Sequence, residues 1–340
     1  MTKRERQLIS SFSEDLRDVA RDLCEIFSLK FSEEVANLSD PLLRWMDFAT
    51  RYIDPRPRTV IASSAFPKRL PDDIGRALNQ MMEKLASGGD VNAYQSRGLT
   101  ESNDVSASKR QFRTDLLWAD WGVHHLHLST EPMSSGARYS ARSDWLLFCL
   151  ILRNEVGLID VRPHGKAEAF SEPEIIRQMF KDWPAYMEQY ELKGLLPSKH
   201  SLDAHTIQAL RRGGVNGSLE YKGKVYMPPG GGVTAASTPT RLSLLCDRIV
   251  IYVRELARLA ADPAGQLEQH LLSSGIQSRD FHLSLTPMGL AVLERESGYA
   301  FYLPRGDRSG DGGIAELHDR LLPTWAEKAV AQQRAQSESR

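Results

Sequence analysis

The chain has 340 residues, 41% of them hydrophobic and 26% charged, with 43 Lys and Arg against 44 Asp and Glu. That balance excludes a global field for nucleic acid or an anionic membrane, leaving only local patches, and the length calls for two or three cores. Cys24, Cys149 and Cys246 lie far apart with no CxxC, which indicates neither a disulfide framework nor a cysteine zinc site.

The charged start, MTKRERQLIS, does not read as a signal peptide. No apolar run approaches the ~20 residues of a membrane span. A cytoplasmic protein with no membrane partner is expected.

Helices come first. In SEDLRDVARDLCEIF, Leu16, Val19, Ala20, Leu23, Ile26 and Phe27 recur at i, i+3, i+4 spacing and form one apolar stripe. Asp40-Pro41 reads as the cap and first residue of a second helix, with Leu42, Leu43, Trp45, Met46 and Phe48 along it. TVIASSAF (59–66) is a strand candidate. Pro71-Asp72 opens a third helix, which Gly88-Gly89 stops. Residues 93–113 are polar and read as a long loop or linker.

A β-rich stretch follows. VHHLHLS (123–129) is a strand and SSGARYSARS (134–143) a mobile connection. DWLLFCLIL and VGLIDVRP are two strands joined by a turn at Arg153–Glu155. SEPEIIRQMFKDW is a helix with Ser171 as its cap.

Beyond it, HTIQALRRGG (205–214) is a short helix and SLEYKGKVYM a hairpin around Lys222-Gly223. PPGGGVTAASTP is a glycine loop, with Thr238 capping a long helix from about Pro239 to Ala261. FHLSLTPMGLAVLERESGYAFYL (281–303) alternates as a small meander, and GDRSGDGG is a flexible loop.

The expected class is α+β. It comprises a mainly helical region (1–105), a central small antiparallel sheet with a following helix (106–195), a C-terminal α+β region with a β-meander (196–328) and a disordered polar tail (329–340).

The chemistry concentrates in WGVHHLHLST, which holds three of the nine histidines. On a strand His125 and His127 share one face, and His124 takes the other with Leu126 and Leu128. Such a pair can hold a metal only with further ligands, for which His164 is the candidate. A metal-free reactive site and an ordinary strand with one interior histidine are the alternatives. HLS (127–129) and HLSLT (282–286) also resemble the H-x-[ST] strands of the 2H phosphoesterases, where two histidines act as acid and base on a phosphodiester.

Asp144-Trp145-Leu146-Leu147 opens one strand, a tight turn leads to a second, and His164 follows. This stretch, within 121–170, resembles the RelE superfamily of ribosome-dependent mRNA interferases, particularly the YafQ branch. Ser140 stands where that family usually has a further histidine.

The resemblance implies an RNA-directed endonuclease of a bacterial toxin, defence or mobile-element type, cutting without metal or cofactor. His164 would be the general acid or base, beside His125 and His127. Asp144 and Trp145 would lie near the scissile nucleotide, and Arg138, Arg142 and Lys166 would steady the phosphate. RNA or the ribosome, and an antitoxin or complex subunit, are the implied partners. Arg211, Arg212, Lys222 and Lys224, on a helix-and-hairpin outline, would add phosphate contacts. The alternatives are a non-enzymatic binding or scaffold protein that keeps a RelE-like sheet, and a metal-dependent hydrolase built on the histidines.

Overall fold

The computed structural model describes residues 1–340 except 31, 102–103, 132, 165–172, 198–205, 207–208, 211–212, 214, 216, 307–312 and 339–340, and the backbone alone at 173 and 334–338. The expected Ser171 cap, the helix around Arg211 and Arg212, Lys166 and the core of GDRSGDGG lie outside the described residues. The class is α+β.

The chain divides into two compact units, Arg51–Arg241 and Met1–Thr50 with Leu242–Arg340. These boundaries differ from the expected divisions at 105 and 195, because strand pairing ties residues before 105 to the central sheet.

In the unit Arg51–Arg241, four strands form one sheet in the order β1 (Thr59–Ala62), β4 (Glu155–Pro163), β3 (Trp145–Ile151), β2 (Val123–His127). β2–β3 and β3–β4 are antiparallel, as expected. β1 is parallel to β4, which makes the sheet mixed where a purely antiparallel one was anticipated. A parallel partner needs a long crossover, and that long-range pairing has no local signature.

β3 and β4 are almost wholly buried, because helices cover both faces of the sheet. One face packs Leu126, Leu128, Leu147, Cys149 and Leu158 against α3 (Asp72–Ser87) through Leu78, Met81 and Leu85. Gly88 ends α3 in the left-handed conformation at φ 83°.

The other face packs Val123, Leu146, Phe148 and Leu150 against Ile176, Met179 and Phe180 of α5 (Pro173–Asp182) and Met187 of α6 (Pro184–Glu188). The hairpin β5 (Leu219–Tyr221) and β6 (Lys224–Tyr226) closes this side. Its two turn residues, Lys222 and Gly223, both have positive φ, the requirement of a type I′ turn.

Residues 93–113 are not a linker. Leu99, Thr100, Val105 and Ser106 are buried, and Arg113 donates to the carbonyls of Ala107, Ser108 and Ala236. The 134–143 connection is tied to this segment by the Ser140 amide on the Ala93 carbonyl and by the Tyr139 and Thr100 hydroxyls.

The glycine loop is structural as well. The Gly230 and Gly231 amides donate to the Asp120 and Pro228 carbonyls. The Thr238 hydroxyl meets that of Thr234 at 2.8 Å, and the long helix begins at Thr240.

The other unit joins α1 (Lys3–Ile26) and α2 (Pro41–Arg51, through Thr50) with the C-terminal half. Thr2 and Glu5 form a capping box on α1, and the Asp40 carboxylate accepts from the Leu42 amide at the start of α2. The long helix α7 (Thr240–Ala261), from Leu242 on, and α8 (Gln266–Ser273) precede the meander β7 (Phe281–Thr286), β8 (Gly289–Glu294) and β9 (Tyr299–Tyr302).

α9 (Ile314–Leu321) and α10 (Thr324–Glu338) complete the unit. Helix α10 corrects the expectation of a disordered tail from 329. Its Ala, Gln, Arg and Glu residues are good helix formers, and Val330 anchors it in the core. Phe27, Trp45, Phe48 and Trp325 cluster with ring centroids 5.3–6.0 Å apart.

Candidate acid–base site

The site is built by one tight reversal. Asp115 caps α4 (Leu116–Trp121), its Oδ1 accepting from the Leu117 and Trp118 amides at 2.9 and 3.2 Å. Gly122, left-handed at φ 70°, ends that helix and turns the chain straight into β2. The strand therefore runs back past the start of α4. Its His125 Nδ1 meets the other Asp115 oxygen, Oδ2, at 2.8 Å. Asp115 thus holds a helix and an imidazole at once.

His127 follows on the same face of the strand. Its ring centroid lies 6.3 Å from that of His125, nearly edge-on. Its Nδ1 approaches the Ser143 carbonyl at 3.4 Å. A carbonyl can only accept, so the proton of neutral His127 sits on Nδ1 and Nε2 is the basic atom.

Across β3, register places His127 opposite Leu146 and Leu146 opposite Arg162. His164, two residues after Arg162, reaches the same face. Its ring stacks beside His127 at 5.8 Å and 29°, and its amide donates to the Asp144 carbonyl. Three imidazoles, two from β2 and one just past the end of β4, therefore form a row, with the Asp115 carboxylate at one end and exposed His164 at the other.

The electrostatics are asymmetric. Burial works to raise the Asp115 pKa, but the charge and hydrogen bond of His125, the Trp118 amide and Arg51 outweigh it and hold the carboxyl at about 2. Burial lowers His127 to about 4, and the charges of His125, His164 and Arg142 act in the same direction, against the Ser143 carbonyl. Burial lowers His124 to about 3, against the attraction of Asp115. His124 and His127 are therefore neutral at pH 7.

His124 faces the α3 side by alternation, yet β2 is an edge strand. Both His124 and His125 line a small polar cavity of about 20 Å³ with Arg51, Gln95, Ser96, Asp115 and Trp118. That is room for about one water.

The expected residues sort unevenly. His125, His127 and His164 come together, and Arg142 acts on His127 through its charge. Arg138 acts on Tyr139. Asp144 contributes its carbonyl. Trp145 lies on the opposite face, packed with the α3 cluster, so it is turned away from the row. Lys166, Arg211 and Arg212 lie outside the described residues.

β2 and β7 belong to different sheets in different units, so HLS and HLSLT do not share a sheet. His282 instead bridges Asp15 and Asp280 at 3.1 and 3.2 Å. Among the described residues no three His, Cys, Asp or Glu side chains converge as metal ligands. No described helix is long and apolar enough to cross a membrane.

Sequence reading missed Asp115, His124's share in the cavity, Arg51 and Arg162. An Asp immediately before the apolar run LLWADW was a legible cap signal. Its second role, ten residues before His125, was not.

No protein-family model matches the chain, and comparison with curated proteins and with solved structures finds no match.

Proposed function

We propose that the histidine row is a metal-independent acid–base centre that cleaves an RNA phosphodiester through its own 2′-hydroxyl. Side-chain geometry supports the reading, and one observation carries it: the Asp115–His125 pair with His127 and His164 stacked beside it.

The reaction needs a base on the 2′-hydroxyl and an acid on the 5′-oxygen. His127, neutral and with its Nε2 lone pair available, takes the 2′-proton. The 2′-oxygen attacks phosphorus, forming the 2′,3′-cyclic phosphate and breaking the bond to the 5′-oxygen. His125, oriented by Asp115 at its Nδ1, delivers the proton to that leaving oxygen. His164 and the guanidinium groups of Arg142 and Arg162 offset charge on the phosphorane. The RelE resemblance adds the expectation of mRNA as substrate.

The test is cleavage of a single-stranded RNA in excess chelator, with a matched strand carrying one 2′-deoxynucleotide at the cut site. Cleavage of the all-RNA strand to a cyclic phosphate, with none at the deoxy position, supports the reading. Equal cleavage of both, or RNA binding without cleavage, refutes it, and the latter outcome favours a binding protein.

A further inference from the structure

We propose that Arg241, with the hydroxyls of Tyr186 and Tyr190, holds a backbone phosphate of an RNA strand beside the histidine row. The source of the phosphate rests on the RNA reading above. The need for an anion rests on Arg241 itself.

Arg241 stands in the first turn of α7 and reaches α4. Its guanidinium lies 4.6 Å over the Trp118 ring, and Nη2 donates to the Trp118 carbonyl at 3.1 Å. That is its one hydrogen bond among the described residues, and it makes no ion pair with any of them. Nε is buried without an acceptor. Arginine stays charged in proteins, and burial works against that charge. The Asp120 carboxylate attracts it without pairing. Burial and the Tyr190 hydroxyl push Tyr186 above its ordinary range, so Tyr186 is a neutral phenol and supplies no counter-charge. Buried charges are ordinarily paired and hydrogen-bonded. The partner lacking here is an anion.

Gly122 gives the donors a common space. From the point a Gly122 Cβ would occupy, Arg241 Nη2 and Nη1 lie 3.4 and 3.9 Å away, and the Tyr186 hydroxyl 3.8 Å. Guanidinium and phenol therefore face the same side of this residue. The Tyr190 hydroxyl bonds that of Tyr186, and the two rings lie 5.6 Å apart. Guanidinium and hydroxyl donors are the ordinary ligands of a backbone phosphate. Both tyrosines are partly exposed, and a phenol ring offers a stacking surface to an unpaired base. That combination favours a nucleotide strand over a free anion.

The position suits a phosphate next to the scissile one. Trp118, beneath Arg241, lines the small cavity with His124 and His125. Tyr186 packs against the cluster that includes Val123, and Val123 shares its face of β2 with His125 and His127. The arginine thus adjoins the row without touching an imidazole of it.

The test is binding of the full chain, across a salt series, to the strand carrying one 2′-deoxynucleotide at the cut site, which takes cleavage out of the readout. Each phosphate contact on a single strand contributes about −0.7 to the slope of log K against log salt. Arg241→Gln is expected to weaken binding about tenfold and to make the slope shallower by about 0.7. Arg241→Lys should keep the slope. Tyr186→Phe, which retains the ring, should weaken binding with the slope unchanged. A folding defect would not separate the variants in this way. No binding by wild type, an unchanged slope in Arg241→Gln, or an equal loss of slope in Arg241→Lys would each overturn the proposal. A wild type that shows the expected slopes yet leaves the all-RNA strand uncut would uphold the phosphate site and refute the acid–base centre.

Discussion

Asp115 joins two jobs that are separable by substitution. Asn caps a helix about as well as Asp, so Asp115→Asn should keep the cap and lose only the stability that the charged carboxylate contributes beside His125. It removes the carboxylate that holds His125 at 2.8 Å, and RNA cleavage should fall by roughly 10²–10⁴-fold. Asp115→Ala loses the cap too and should cost about 1 kcal/mol of stability as well. If the Asn variant is no more stable than the Ala variant, or keeps full activity, the two roles have been misassigned.

The buried histidines make a second prediction. His124 and His127 titrate at about 3 and 4 in the folded chain, below the ordinary 6.5. The unfolded chain therefore binds more protons across that interval, and stability falls with falling pH. Their contribution is complete above pH 6.5 and is lost as pH drops towards 4 and then 3. Asp115, held at about 2 against an ordinary 3.8, loses its contribution lower still. Chemical denaturation from pH 7 to 4 should show declining stability, with a smaller decline in His127→Phe. An identical decline in that variant would count against a buried neutral His127.

At the scale of the element, the site depends on how α4 is held. A methyl group at Gly230 would overlap the Ala119 carbonyl oxygen and the Arg241 guanidinium, which itself lies 4.6 Å over the Trp118 ring. Gly230→Ala should cost about 1–3 kcal/mol by overpacking and lower activity without touching an imidazole. A neutral result in thermal melting would show that the loop does not brace the helix.

The elements also show what the sequence makes legible. Caps and periodicity marked the starts of α2 and α3, the β3–β4 and β5–β6 hairpins and the meander. Alternation put His125 and His127 on one face and made His164 the residue to meet them. The same alternation, applied to Trp145 beside Leu146, would have turned that tryptophan away from the site.

Other features had no local signal. β1 is fixed by a parallel partner far along the chain. Arg51 reaches the cavity from the end of a helix whose own pattern concerns only its apolar face. Helix α10 is polar enough to pass for a tail, and only its docking through Val330 and Trp325 distinguishes it.

At the scale of the whole molecule, the two units have different construction. The unit Met1–Thr50 with Leu242–Arg340 needs both ends of the chain. Asp15 on α1 accepts from the Leu283 amide and pairs with His282 on β7. The unit Arg51–Arg241 contains every group of the proposed centre. A fragment of residues 51–241 should therefore keep RNA cleavage and its dependence on His127. A folded but inactive fragment would mean that the other unit supplies part of the site.

The central claim is that His127 and His125 act as base and acid. The most direct measurement is the single-turnover rate of RNA cleavage by the full chain in chelator, compared with His127→Ala and His125→Ala of verified fold. The acid–base account predicts a measurable wild-type rate that falls by roughly 10²-fold or more in each variant, with the acid limb of the wild-type pH profile breaking near 4. No cleavage by the wild type, or rates unchanged in both variants, would contradict it.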